Sequence, residues 1–288
     1  MKKPKLPALA PAKVNLVLEV LGKRPDGYHE VASIMQTVSL CDSLSFEDDT
    51  GLSLHCNFPQ LEQDNLALKA AGLLQKATGC RQGVQIHLEK KIPVASGLGG
   101  GSSDAAATLL ALNRLWRLDL PLSKLLELAA QLGSDVPFFL HRGTALVTGR
   151  GEIVAPLPPA SVWLVLVLPD SAPLPEKTRT LYSRLTAADF SDGRSTRRAV
   201  ETLALRKTFQ TSMAYNVFDR IAPHAFPGLE DCRRKLQTAT GSNVHVAGSG
   251  PALFVLADSE VDAHNMERKL DGSLRCLVVS SFAPEQGF

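Results

Sequence analysis

The amino-acid sequence predicts an α+β protein built from two domains. Segments with the spacing of strands and segments with the spacing of helices occur in both halves of the chain. The 288 residues suffice for one large domain or for two of ordinary size. A cluster of prolines, Pro156, Pro158 and Pro159, is typical of a hinge. We therefore predict one domain over residues 1–155 and a second over residues 156–288.

The composition is that of an ordinary globular protein. Hydrophobic residues make up 44% of the chain, charged residues 21%, and the formal net charge is +2. This charge gives no electrostatic reason to expect nucleic acid or a membrane as a partner, so a small-molecule ligand fits better. Prolines and polar residues interrupt residues 6–21, which excludes a signal peptide or a membrane span there. We expect a cytoplasmic protein that is a monomer or a weak homodimer.

The first half begins with strands. Residues 12–21 alternate, so Lys13 and Asn15 share one face of a predicted strand. Taken alone, this pattern also fits a half-buried strand whose polar face is solvated. Further strands are predicted over residues 30–40, 43–46, 52–56 and 83–88, with a hairpin over 143–147 and 152–154.

Helical spacing predicts helices over residues 65–78, capped by Asp64 or Asn65, and over residues 122–132. Residues 134–140 predict another helix with Pro137 in its first turn, so Ser134 or Asp135 would be its N-cap. An acidic residue at such a position can instead face a ligand.

A tight turn is predicted where Arg-Pro-Asp-Gly occupies residues 24–27. Tyr28 and His29 follow, so two aromatic rings lie at the exit of the turn. From the local sequence, Tyr28 packs against the turn and His29 is an ordinary loop histidine; contact with a ligand is the alternative.

Four glycines, Gly97, Gly99, Gly100 and Gly101, lie between a predicted strand and a predicted helix. Glycine permits positive φ angles and lets a ligand approach the backbone. Ser102 and Ser103 are good N-caps for a helix whose strong formers begin at residue 105, which would direct the positive end of a helix dipole toward the loop. The segment therefore predicts an anion site, with a close-packed turn that binds nothing as the alternative.

The spacing of this segment excludes two common phosphate motifs. A P-loop requires a lysine where Ser102 stands, and a dinucleotide fingerprint starting at Gly97 requires a third glycine at the same position. A phosphate loop of another kind remains.

The second half predicts a small α+β sandwich. Strands are expected over residues 162–168, 244–247, 252–256 and 274–282. Helices are expected over residues 178–185, 197–205, 214–221 and 260–270, with an exposed polar loop over residues 189–198.

Four blocks, in order along the chain, resemble the GHMP kinases, which transfer a phosphoryl group from ATP to small alcohols. The blocks are residues 11–15, 90–107, 133–137 and 248–251. The resemblance implies an N-terminal ATP-binding domain of ribosomal-protein-like topology and a C-terminal ferredoxin-like domain. The active site would lie in the cleft between them, with ATP as co-substrate and Mg²⁺ as cofactor.

The resemblance also implies roles for individual residues. Asp135 would be the general base on the acceptor hydroxyl, Lys13 the cation that orients it, and Asn15 would position the substrate. Ser103 would face the metal ion. The residues implied to bind ATP are Pro93, Val94, Ala95, Ser96, Gly97, Leu98, Gly99, Gly100, Gly101, Ser102, Ser103, Asn65 and Lys90. The last two would lie near adenine.

Within the family, Asp-Gly-Tyr-His at residues 26–29 is similar to the segment that recognises cytidine in members whose acceptor carries cytidine diphosphate. Tyr28 and Tyr182 would then sandwich the cytosine ring, and His29 would bond its polar edge. Thr178 matches the family's Ser-Thr pair, whereas Lys177 departs from it. The residues implied on the substrate side are Asn15, Tyr28, His29, Thr178, Tyr182, Gly248, Ser249 and Gly250. The expected reaction is ATP-dependent phosphorylation of an alcohol linked to cytidine diphosphate, in the synthesis of isoprenoid precursors.

Three alternatives stay open. A homoserine or mevalonate type of GHMP kinase would share the loop but needs no aromatic sandwich for a pyrimidine. A non-catalytic, nucleotide-sensing regulator would be expected to lack Lys13 or Asp135, and both are present. A purely structural role would require four motifs to coincide by chance.

Overall fold

The chain forms two β-sheets in the computed structural model, which describes residues 5–170, 174–270 and 272–282. With strands numbered along the chain, the first sheet contains β1 (Leu6–Lys23), β2 (His29–Asp49), β3 (Leu52–Cys56), β4 (Gly83–Glu89), β5 (Thr144–Gly149), β6 (Ile153–Leu157) and β8 (Tyr215–Asn216). The second contains β7 (Trp163–Val167), β9 (His245–Val246), β10 (Leu253–Ala257) and β11 (Cys276–Ser280). The predicted α+β class is confirmed.

Helices accompany both sheets. They are α1 (Leu66–Thr78), α2 (Gly100–Leu115), α3 (Leu122–Leu132), α4 (Val136–His141), α5 (Lys177–Ser183), α6 (Arg194–Ala204), α7 (Leu229–Thr240) and α8 (Glu260–Lys269). The predicted cap of α1 is confirmed, because Asn65 accepts a hydrogen bond from the amide of Ala67. None of the described helices combines the length and apolar character needed to cross a membrane.

The long antiparallel pair of β1 and β2 organises the first sheet. Strand β2 also pairs with β5 through residues 31–36 and with β4 through residues 43–49. The register between β1 and β2 shifts at Pro11/Ala12 and again at Asn15/Val17. Bulges re-aim side chains and are frequent beside active sites. These two flank the segment that carries Lys13 and Asn15.

Both faces of β1 are buried, so the interpretation of Lys13 and Asn15 as a solvated polar face is wrong. Val14, Leu16 and Val17 are fully buried, while Lys13 and Asn15 are each only 5% exposed. A sheet covered on both sides leaves no solvated face, so these polar groups must find partners inside the protein.

Three further sequence predictions are corrected. Residues 30–40 and 43–46 belong to one strand, because Asp42 is buried and bonded within the protein rather than exposed in a turn. The helix predicted over residues 214–221 is instead strand β8, which pairs with β1, and a short 3₁₀ turn over Val217–Arg220. Helix α7 was not predicted. Helix α6 begins at Arg194, inside the predicted loop.

Hydrophobic clusters anchor the glycine segment and the helix that follows it. Helices α1 to α4 pack on the first sheet around Phe46, Leu74 and Phe138. A second cluster joins β1 to the second sheet and includes Leu98 from the glycine segment, packed with Phe254 and its neighbours. Strand β6 ends at Leu157 and β7, in the other sheet, begins at Trp163; the boundary between residues 155 and 156 stays a prediction.

Candidate active site

One cavity of about 440 Å³, a volume typical of small-molecule sites, gathers most of the predicted residues. Those that line it are Lys13, Asn15, Asn65, Lys90, Pro93, Val94, Ala95, Ser96, Gly97, Gly99, Gly100, Gly101, Ser102, Asp135, Thr178, Tyr182, Gly248 and Ser249. Those outside its lining are Tyr28, His29, Leu98, Ser103 and Gly250. The structure thus brings segments between residues 13 and 249 to one place.

The glycine loop, residues 93–103, turns the chain from β4 into α2. Gly97 and Gly99 have φ angles of +92° and +74°, and Ala95 one of +56°. Helix α2 begins at Gly100 with Gly99 as its N-cap, so the prediction that Ser102 and Ser103 cap it is wrong. They lie in its first turn instead. The positive end of the helix dipole still reaches the cavity, since Gly99 to Ser102 line it.

The missing side chains of the glycines make room mostly for protein atoms. A Cβ atom on Gly97 would lie 2.0 Å from the carbonyl oxygen of Ala247, and one on Gly99 would lie 2.8 Å from Phe139. On Gly100 it would meet Lys90 at 3.0 Å. On Gly101 the nearest atom is 3.7 Å away, an ordinary contact. Open access for a ligand therefore explains the presence of glycine at Gly101 only.

Lys13 begins a chain of buried hydrogen bonds. Its ammonium donates to Oδ1 of Asn15 at 2.8 Å, and the Asn15 amide donates to the hydroxyl of Ser33 at 2.8 Å. Ser33 in turn donates to the carbonyl oxygen of Val17 at 2.6 Å. The chain holds the ammonium at the cavity wall without fully neutralising it.

Asp135 faces that ammonium from the start of α4. Its Oδ2 lies 3.6 Å from Nζ of Lys13, and its side chain is 37% exposed. Asp135 occupies the N-cap position, yet its side chain makes no capping hydrogen bond. The carboxylate therefore points at the cavity rather than at its own helix.

Lys90 is bound by two acidic side chains. Its ammonium donates to Asp42 at 2.5 Å and to Asp104 at 2.7 Å, and all three are buried. Burial opposes the charge of Lys90, but the carboxylates of Asp104 and Asp42 outweigh it and raise its pKa. Asn57 also bonds both backbone groups of Lys90. These contacts give Lys90 a structural role, and its predicted contact with adenine stays a prediction that they do not favour.

Asn65 is likewise engaged within the protein. Its Oδ1 accepts from the Ala67 amide at 2.9 Å, and its Nδ2 donates to the carbonyl of Leu61 at 3.1 Å. Asn65, Leu61 and Leu66 all line the cavity, so this end of it is bounded by the start of α1.

Of the predicted cytidine residues, His29 and Tyr182 form an aromatic group. The rings of His29 and Tyr182 are 5.2 Å apart, and Tyr182 also packs edge-on against Phe218 at 5.0 Å. Burial and then the charge of Lys23 lower the pKa of His29, which favours the neutral imidazole at pH 7. Tyr28 is 56% exposed, with the guanidinium of Arg150 4.8 Å above its ring.

The loop over residues 247–252 contacts the glycine loop directly. The amide of Ala252 donates to the carbonyl of Ser96 at 3.0 Å, and the Thr178 and Ser249 hydroxyls are 3.4 Å apart. Sequence reasoning missed Arg150 and Phe218 as lining residues and gave Lys177 no role. Arg150 lies in a predicted turn between two glycines, where a cation carries no local signal of its function.

Ser103 is compatible with a metal ion beside the loop. Its hydroxyl, and Oδ1 of the adjacent Asp104, are buried without a hydrogen-bond partner among the described residues. Across residues 5–170, 174–270 and 272–282, no group of three or more His, Cys, Asp or Glu side chains could hold a metal ion. Mg²⁺ in phosphoryl-transfer sites uses few protein ligands together with phosphates and water, so the unpaired oxygens of Ser103 and Asp104 fit such an ion.

Comparison with known proteins places the chain among kinases. The profile of the GHMP kinases N terminal domain matches residues 65–143. The chain is 42% identical over 286 residues to the 4-diphosphocytidyl-2-C-methyl-D-erythritol kinase of Dehalococcoides mccartyi, covering 97% of this chain and 99% of the relative. The enzyme of that name from Brevibacillus brevis is 38% identical, with 96% and 97% covered.

Solved structures agree. A crystal structure of 4-(cytidine 5'-diphospho)-2C-methyl-D-erythritol kinase has a TM-score of 0.82 and 35% identity, covering 96% of this chain and all of that one. A homoserine kinase from Cytophaga hutchinsonii has a TM-score of 0.75 at 20% identity, covering 100% of this chain and 98% of that one. The second likeness shows the fold alone. The predicted GHMP kinase fold is thereby confirmed.

Proposed function

The chain belongs to the 4-diphosphocytidyl-2-C-methyl-D-erythritol kinases of the GHMP family, and on this premise we propose how its cavity works. The reaction is ATP-dependent phosphorylation of the 2-hydroxyl of 4-diphosphocytidyl-2-C-methyl-D-erythritol, a step toward isoprenoid precursors. The observation that carries the proposal is the position of Lys13 and Asp135, 3.6 Å apart, in the cavity that the glycine loop also lines.

The glycine loop binds the triphosphate of ATP. Backbone amides at the start of α2 and the positive end of its dipole favour an anion there. The tight contacts of Gly97 and Gly99 with Ala247 and Phe139 hold the loop in shape before ATP arrives. A preformed loop needs little reordering on binding, which favours affinity.

Asp135 accepts the proton of the acceptor hydroxyl. Its carboxylate makes no capping bond and is partly exposed to the cavity, so a hydroxyl can reach it. Lys13 places a positive charge beside the carboxylate, where negative charge on the transferred phosphoryl group is also to be stabilised. Phosphoryl transfer depends mostly on positioning and charge, so both residues contribute. Asn15 fixes the ammonium through its 2.8 Å bond.

Ser103 would hold Mg²⁺ through its otherwise unpaired hydroxyl. When bound, the ion neutralises charge on the phosphates of ATP.

The aromatic group selects the acceptor. Tyr182 lines the cavity and offers a ring on which cytosine can stack, with Tyr28 covering the base from the exposed turn. A neutral His29 can both donate and accept a hydrogen bond, which suits the polar edge of cytosine. An acceptor without the base would leave these polar groups unpaired, so the site discriminates against it.

The test supplies ATP and Mg²⁺ with 4-diphosphocytidyl-2-C-methyl-D-erythritol, homoserine or mevalonate and measures ADP release. Only the cytidine-bearing alcohol should be phosphorylated efficiently. Loss of one stacking ring should raise the Michaelis constant for it by about tenfold to a hundredfold in Tyr28→Ala and Tyr182→Ala. Tyr215→Ala is the matched control, because Tyr215 is 38% exposed and does not line the cavity. Preference for either other acceptor would overturn the substrate assignment.

A further inference from the structure

Lys177 connects three segments of the active site. It is the first residue of α5 and lines the cavity. Its ammonium donates to the carbonyl oxygen of Ala95 in the glycine loop at 2.9 Å and to that of Gly250 at 2.5 Å. A side chain from a third element thus bonds to both loops, which also contact each other.

The surroundings of this ammonium contain little compensating charge. Burial, followed by repulsion from Lys13, lowers the pKa of Lys177 to about 8, and Asp135 opposes this only in part. Carbonyl oxygens supply hydrogen bonds but no net negative charge. An anion placed beside Lys177 and Lys13 would therefore gain electrostatic energy from both.

The donor count leaves room for such an anion. A lysine ammonium has three N–H donors, and the carbonyls of Ala95 and Gly250 accept two of them. Among the described residues, no third acceptor of Lys177 is present. The remaining donor belongs to an ammonium that lines the same cavity as Lys13, Asp135 and the glycine loop.

We propose that Lys177 is a further phosphate-binding residue of this kinase, whose ammonium contacts a phosphate oxygen of the ligands bound in the cavity. The inference rests on the proposed phosphoryl transfer. The phosphate could belong to ATP or to the diphosphate of the acceptor. The other role open to Lys177 is a clip that only fastens the two loops together.

Binding measurements separate these roles. Titration calorimetry compares wild type, Lys177→Met and Lys177→Arg with ATP, with cytidine 5'-diphosphate and with cytidine. A lost hydrogen bond to a charged phosphate should weaken the affected diphosphate or triphosphate by about tenfold to a hundredfold and leave cytidine unchanged. The weakened ligand identifies the source of the phosphate. Lys177→Arg should retain most of the affinity.

The control removes a positive charge from the same helix without touching the cavity. Arg179 lies on α5 with its side chain 83% exposed, so Arg179→Met should bind all three ligands as wild type does. If Arg179→Met weakened binding as much as Lys177→Met does, the effect would be one of long-range charge, and the inference would be overturned. Melting temperatures of all variants show whether each one is folded.

The pH profile provides a readout that a mere clip would not change. A lysine whose pKa lies near 8 keeps its charge below that pH and loses it above. The kcat/KM of wild type should therefore fall as the pH rises through about 8, and this fall should be absent below pH 10 in Lys177→Arg. Unchanged phosphate affinity and an unchanged profile in active, folded Lys177→Met would overturn the inference. An inactive wild type would instead contradict the proposed reaction.

Discussion

Replacing Asp135 with asparagine should abolish most of the turnover while leaving the fold intact. The substitution keeps the shape of the side chain but removes the base and the negative charge opposite Lys13. General-base catalysis typically contributes a factor of about 10² to 10⁴, so kcat should fall by at least about 10². ATP affinity should change little, because the glycine loop is untouched.

The structural cost of this substitution is small. At 3.6 Å, the attraction between Asp135 and Lys13 is about 1 kcal/mol in a water-like dielectric. The Lys13 side chain is only 6% exposed but keeps its bond to Asn15, and the carboxylate is 37% exposed, so the loss should stay near the roughly 1 kcal/mol typical of exposed pairs. No capping bond is lost. The melting temperature should therefore fall by no more than about 4 °C.

The assay follows ADP release at saturating ATP, with calorimetry for ATP binding and thermal melting for stability. Asp231→Asn is the matched control, because this side chain is 67% exposed and pairs with Arg234 on α7, away from the cavity. Near-normal turnover in Asp135→Asn would show that Asp135 is not the general base and only occupies the N-cap position of α4. A collapse of the melting temperature would refute the estimate of its structural cost.

Three further substitutions test the loop and the buried charges. In Gly101→Ala, the new methyl group has room in the protein and lies at the cavity, so the free energy of unfolding should stay unchanged or rise slightly. ATP binding, measured by calorimetry, should weaken. Gly97→Ala should instead lower the free energy of unfolding by more than about 1 kcal/mol, measured by urea unfolding. Equal effects of the two would contradict the packing argument. Lys90→Met should destabilise the protein by about 3 to 5 kcal/mol in the same assay, since Asp42 and Asp104 would lose their shared partner; a loss under 1 kcal/mol would contradict the structural role of Lys90.

Local patterns in the sequence located the loop but not its internal geometry. Glycine density at residues 97–101 predicted a strand-to-helix turn, and the alternation around Lys13 placed it on a face with Asn15. Helix α2 starts after Gly99, whose φ is +74° and where a Cβ atom would clash with Phe139 and press on Lys13, both distant in the sequence. No local rule favours Gly99 over the better caps Ser102 and Ser103.

Contacts between distant residues account for the other misses. Asp42, Lys90 and Asp104 are far apart in the chain, so their buried cluster has no spacing that a sequence reveals. Tyr215 and Asn216 have neighbours with helical spacing, but pairing with β1 makes them a strand. Helix α7 did carry a signal, in the buried positions Leu229, Cys232 and Leu236, and its many charged residues obscured it.

The most direct test of the account is the distance from Asp135 to the acceptor hydroxyl in a crystal structure with a non-hydrolysable ATP analogue and 4-diphosphocytidyl-2-C-methyl-D-erythritol both bound. We expect a carboxylate oxygen of Asp135 about 2.6 to 3.2 Å from the 2-hydroxyl, as a general base requires. The triphosphate should lie along residues 97–103 and the cytosine ring on Tyr182. The assignment of the base would be contradicted if the 2-hydroxyl faced the γ-phosphate of the ATP analogue but lay well beyond hydrogen-bond reach of Asp135.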